Sequence, residues 1–263
     1  MCLPFLRPRA TPMADRPILF SGSMVRALLD GRKTMTRRVL KPWVDIQNAI
    51  EWLPETAERV SFPDPRYWTA RVPGGDASFT GRMPVPYAVG DRLWVRESGW
   101  ERPERTPKMM LDGADTWDLF HFDADGIDEN ERTDLKAWGF KRRPSIHMPR
   151  WASRLTLTVT AVKVERLQEI SEADAVAEGV DLERYVPVSD SAGLHGTGEA
   201  EPTDPVEEFR DLWSTLHPAT LPVYDEDGKR IGSQPNPAAW DANPWVAAVS
   251  FTVERRNIDA GAG

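Results

Sequence analysis

The chain has 263 residues and a single cysteine, Cys2. A lone thiol near one end excludes a disulfide framework and a thiolate zinc site. Histidines are equally sparse. His121, His147, His195 and His217 are scattered without zinc-ligand spacing, so no metal and no other cofactor is expected. No apolar run approaches the length of a membrane span. The opening MCLPFLRPRATP carries only a short apolar patch broken by prolines, a poor signal peptide. The expectation is a cytoplasmic protein without a membrane partner. Cations are outnumbered, 33 Lys and Arg against 41 Asp and Glu, giving a net charge of −8. That balance argues against a broad, sequence-blind binder of duplex nucleic acid, which carries an overall basic footprint. GxxxxGK[ST], GxGxxG and HExxH are all missing.

What is present begins with a 40% hydrophobic share, enough for one substantial core or two small ones. Eleven tryptophans are many for this length. Core and loop anchors account for most of them, with stacking on bases as the alternative use. PILF (17–20) predicts a short strand, and SGSMVRALLDG a helix capped by Ser21 or Ser23 and ended by Gly31. TMTRRVL then predicts a strand with Thr34, Thr36 and Arg38 on one face and Met35, Arg37 and Val39 on the other. VGDRLWVRESGW (89–100) contains a further strand. RLTLTVTAVKVERL (154–167) alternates clearly until its apolar parity shifts near Ala161-Val162, which suggests a bulge or bend. Ser171 and Gly179 bound a short helix. DPVEEFRDLWSTL (204–216) is a strong helix, with Asp204 as cap, Pro205 in the first turn and Val206, Phe209, Leu212, Trp213 and Leu216 as its buried stripe. NPWVAAVSFTVE supplies the last strand. Helices do not alternate regularly with strands, so an α+β fold with a partly closed barrel suits the order better than a doubly wound sheet. Residues 1–13 are expected to be a disordered extension, 14–256 one domain with insertions at about 42–88, 101–146, 181–203 and 217–243, and 257–263 a disordered tail.

The basic stretch GRKTMTRR (31–38), VGDRLWVRE, the SEADAVAEG helix and the closing NPWVAAVSF strand together resemble the ASCH domain family. PSIHMPRWAS (144–153) and WDANPW (240–245) are similar to a phage and prophage branch of it. The resemblance spans most of 17–254 and implies a PUA-like β-barrel with flanking helices and long loop insertions. Some compact members are amidohydrolases that remove the acetyl group from N4-acetylcytidine. Their lysine, threonine and glutamate fall on Lys33, Thr36 and Glu178. Other members are associated with ribonuclease activity, and the fold more widely with RNA binding.

The resemblance thus implies a pocket for a modified nucleoside or nucleotide, or for RNA or single-stranded nucleic acid. A partly desolvated Lys33 would act as base, Thr36 as nucleophile and Glu178 as its orienting or water-guiding partner. Alternation along a straight strand would part Lys33 from Thr36, so either the chain is still turning at Lys33 or the pair does not meet. Arg37 and Arg38 suit a phosphate or an oxyanion. Arg96, Glu97 and Trp100 follow the GDRLWV strand. Glu97 is either a second site carboxylate or, more simply, a salt-bridge partner of Arg38 or Arg96, and Trp100 a stacking plane or an anchor. His147, Arg150, Trp151 and Arg154 form a phosphate-and-base contact set or a structural crossover. Three functions remain open: an amidohydrolase on a modified nucleobase, a non-catalytic binder of RNA or single strands, and a metal-independent ribonuclease using His147 with Lys33.

Overall fold

The structure is a computed structural model that describes residues 14–40, 58–61, 67–71, 81–102, 119–180 and 204–260. The N-terminal extension, the 181–203 loop and His195 lie outside the described residues. In chain order the elements are β1 (Asp15–Leu19), α1 (Gly22–Leu29), β2 (Met35–Val39), β3 (Glu58–Ser61), β4 (Tyr67–Arg71), β5 (Gly81–Pro84) and β6 (Arg92–Arg96). Then come β7 (Gly99–Glu101), β8 (Phe120–Phe122), α2 (Glu129–Ala137), β9 (Lys141–Arg143) and β10 (Thr156–Arg166). The chain closes with α3 (Glu172–Ala177), α4 (Pro205–Leu216), β11 (Thr220–Tyr224), β12 (Arg230–Pro235) and β13 (Trp245–Glu254). The fold is mixed α+β, with several sheets and four α-helices among the described residues. The principal sheet has the order β1-β6-β10-β13-β2. The chain divides into two compact units, Met1–Thr34 with Tyr87–Ala161 and Ser250–Gly263, and Met35–Pro86 with Val162–Val249.

In the first unit β1 runs parallel to β6, from Asp15 opposite Arg92 to Leu19 opposite Arg96. Leu93 and Val95 of β6 are wholly buried. Ser21 caps α1 by accepting the Met24 N–H, and Val25, Ala27 and Leu28 face the core. Gly31, at φ +74°, ends the helix in the left-handed region that suits glycine. The Lys33 N–H then donates back to the Ala27 carbonyl at 3.0 Å. The chain is therefore still curling off the helix at residue 33, and β2 begins only at Met35. The alternation that would oppose Lys33 to Thr36 does not extend that far back.

A second sheet of this unit has the order β8-β7-β9, antiparallel throughout. Helix α2, which follows β8, falls inside the 101–146 segment expected to be an insertion. Its signal is a capping box: the Asp128 side chain accepts from Glu131 N–H at 2.8 Å, and the Glu131 side chain accepts from Asp128 N–H at 3.0 Å. Only Leu135 of the helix is buried, so no apolar periodicity announces it. The tail expected from 257 is held through residue 260. Ile258 is buried, and Asn257 Nδ2 donates to the carbonyls of Arg150, Trp151 and Ser153.

In the second unit α4 packs Phe209 and Trp213 into a cluster with Leu167, Ile170, Ala175, Val180 and Val246. Val206 and Leu212 pack against it, while Leu216, expected in the stripe, is exposed at the helix end. Asp204 caps α4 through Val206 N–H and Ser171 caps α3 through Asp174 N–H. A β3-β4-β5 sheet lies within the 42–88 stretch, with the YWTAR strand at its centre. The 217–243 segment, expected to be a loop, carries the β11–β12 hairpin. Its residues are largely exposed on both faces, which removes the apolar alternation that would have revealed it.

Candidate functional site

Along strand β10 and just past its end, the odd positions are buried at Leu155, Leu157 and Val159, exposed at Ala161 and Lys163, and buried again at Glu165 and Leu167. The expected shift in parity covers residues 161–164, and the buried position that follows it is a glutamate. Glu165 is 0% exposed. A buried carboxylate needs a charged or hydrogen-bonding partner, and Arg37 supplies it.

Arg37 is the hub of the second unit's polar interior. Its Nη2 donates to Glu165 Oε1 at 2.6 Å and to Asp174 Oδ2 at 2.8 Å. Its Nη1 lies 3.4 Å from Glu178 Oε1 and the same distance from Met35 Sδ. The guanidinium also sits 5.8 Å from the Phe209 ring centroid, within cation–π range. Lys163 ion-pairs with the other Glu165 oxygen from a half-exposed position. Three carboxylates thus surround one arginine whose side chain is 0% exposed. Arg37 is expected from the sequence to meet a phosphate; its guanidinium is instead given to carboxylates from β10, α3 and the α3 C-cap. Neither Glu165 nor Asp174 is singled out by the sequence.

The three residues on which the resemblance places chemistry are all enclosed. Lys33 is 0%, Thr36 3% and Glu178 4% exposed. Lys33 belongs to the first unit, where its Nζ lies 5.6 Å from the Phe20 ring centroid. Glu178 caps the C-terminus of α3 and meets Arg37 as above. Thr36 neighbours Arg37 on β2, and strand alternation turns its side chain to the opposite face from Arg37. Arg38 is half-buried. Burial and then the Arg38 charge hold the His217 imidazole below its ordinary value of 6.5. The folded state therefore binds this proton less readily than the unfolded chain. The associated stability is complete above about 6.5 and is lost as pH falls through the lowered folded value. His217→Gln should flatten the plot of Tm against pH over that window; parallel wild-type and variant curves would exclude the effect.

The remaining candidates lie in the first unit. Glu97 is 1% exposed, and its partner is neither Arg38 nor Arg96. Arg154 grips it bidentately, Nε to Oε1 at 3.0 Å and Nη2 to Oε2 at 2.9 Å. The same guanidinium reaches Asp125 at 2.8 Å and lies 3.9 Å from the Phe122 ring centroid. Burial pushes the Glu97 carboxyl up from its ordinary range, against the pull of Arg154. The pairing spans 57 positions of sequence, so local spacing could not reveal it. Arg96 is bonded to the Ile146 carbonyl and lies over the Trp94 ring. Trp100, 6% exposed, packs with Leu135 and Phe140. Trp151 meets Phe120 edge-on beside Met148 and Ala152. Arg150 is clamped between Asp259, at 2.7 and 2.9 Å, and Asp15, at 2.7 Å. These bonds raise its pKa beyond the usual guanidinium value. His147 is exposed on a 3-10 turn.

Among the described residues no group of three or more His, Cys, Asp or Glu side chains is arranged to hold a metal ion. No described helix is long and apolar enough to cross a membrane. No family model, curated protein or solved structure matches the chain.

Proposed function

We propose that the protein is a hydrolase of an acylated or otherwise modified nucleobase, built on a PUA-like barrel of the ASCH kind. The observation that carries this reading is the complete enclosure of the Lys33 side chain. Lysine is almost never fully buried without a specific reason. An enclosed amine at a helix-to-strand corner is a familiar arrangement for a base or a charge-stabilising group. Thr36 and Glu178, the other two members of the resembling set, are also buried polar groups. The reaction would be amide hydrolysis. Water adds across the exocyclic C–N bond, giving a carboxylic acid and the free amino base, with a tetrahedral oxyanion between them. Arg37 would hold Glu178 in one orientation through the 3.4 Å contact.

The binding-module reading draws less support. Two of the cations it needs, Arg37 and Arg150, are engaged by carboxylates. Its stacking planes, Trp100 and Trp151, are packed against other side chains. A ribonuclease pair of His147 and Lys33 would combine an exposed group with an enclosed one.

The test is acetate release from N4-acetylcytidine and related acylated bases, in free and phosphorylated form. Wild-type protein should release acetate, and Lys33→Met, which keeps the apolar volume of the stem, should reduce the rate at least ~100-fold, the low end of acid–base contributions. Thr36→Ala separates the nucleophiles: a comparable loss assigns the attack to Thr36, and retained activity assigns it to water. Equal acetate release by wild type and a folded Lys33→Met variant would refute the mechanism.

A further inference from the structure

Helix α2 presents one face to a cleft. Glu131, Asp134, Leu135 and Trp138 follow at intervals of three, one and three residues, a single stripe of a helix and its C-cap. The facing wall comes from β8 and the turn after it, with His121 and Phe122 followed by Asp125 and Ile127. Between them lies a space of about 200 Å³. Its floor is apolar and aromatic, since Phe122 and Leu135 are 3% exposed. At its mouth stands Trp138, 63% exposed, a large indole that packing does not require there.

Size and charge narrow what fits. Pockets for drug-sized ligands run to about 300–1,000 Å³, so this cleft is too small for a nucleotide and suits a compact molecule. Every formally charged residue on its wall is acidic. Asp125 is neutralised by Arg154, and Glu131 is committed to the N-cap of α2. Asp134 has neither an ion pair nor a side-chain hydrogen bond among the described residues. Its carboxylate stands one helical turn from Trp138, whose backbone N–H donates to the Asp134 carbonyl at 2.9 Å. An indole face beside an uncompensated carboxylate, over an apolar floor, is the chemistry that holds an organic cation.

We propose that this cleft binds a small organic cation, a primary ammonium or guanidinium on a short apolar stem, with its charge between Asp134 and the Trp138 ring and its stem against Leu135, Ile127 and Phe122. The site belongs to the first unit and does not depend on the hydrolase reading.

Agmatine and phenethylamine are suitable probes, titrated into the full chain by calorimetry at low salt, with isoamyl alcohol as an uncharged control of similar stem. Saturable 1:1 binding of an amine is expected, with little for the alcohol and weakening as salt rises. Asp134→Asn and Trp138→Ala should each weaken binding about five- to tenfold. Both side chains are exposed, so an unchanged Tm will certify the fold of each variant. Absence of saturable amine binding, equal binding of the alcohol, or amine binding that both variants leave intact would overturn the proposal.

Discussion

Arg37→Met should destabilise the protein by about 3–5 kcal/mol, the range for removing one partner of a buried ion pair. For a protein of this size that is a fall in Tm on the order of 10 °C. The reason lies in what remains. Among the described residues Glu165 would keep only the half-exposed Lys163, and the Asp174 and Glu178 carboxylates would lose their shared guanidinium. Methionine fills much of the volume but neutralises nothing. A second substitution, Glu165→Gln, should restore part of the loss in the Arg37→Met background while lowering stability in the wild type. A melt within about 1 °C of wild type for Arg37→Met would show that the cluster contributes nothing net.

Gly99→Ala should cost about 3 kcal/mol, the upper end of overpacking effects. A Cβ at residue 99 would fall within 3.0 Å both of the His121 carbonyl oxygen and of the Phe120 ring. The ring could rotate. The carbonyl belongs to β8, the strand that pairs with β7 directly across from Gly99, and it can yield only if the ladder opens. Gly232→Ala is the matched control. That glycine also lies in a strand, but nothing stands within 4 Å of where an alanine methyl would sit and its φ is unstrained. Chemical denaturation should separate the two clearly. A Gly99→Ala midpoint no lower than that of Gly232→Ala would contradict the close approach.

The parts of this fold that are legible in the sequence share one property, a local chemical reason. Ser21, Ser171 and Asp204 cap helices because their side chains can reach N–H groups two or three residues on. The α4 stripe is readable because Phe209 and Trp213 face one core. Helix α2 and the β11–β12 hairpin are not, because each buries too little to leave a period in the sequence. At the site, the curl from Gly31 through Lys33 follows from a helix stop. The Arg37 cluster and the Glu97–Arg154 pair are hidden for another reason. Glu178 stands 141 residues from Arg37 and Arg154 stands 57 from Glu97, and only the tertiary fold brings them together. Charge inside a strand reads as an outward position, as at Lys163 of β10; at Glu165 it marks the reverse.

The thinness of α2's attachment has a consequence for how the first unit opens. A helix anchored by one buried leucine contributes little apolar area, so its local unfolding costs far less than parting β6, whose Leu93 and Val95 are wholly enclosed. The wall carrying Glu131, Asp134 and Trp138 is therefore expected to open before β6 does, and the cleft lasts only as long as that wall stays folded.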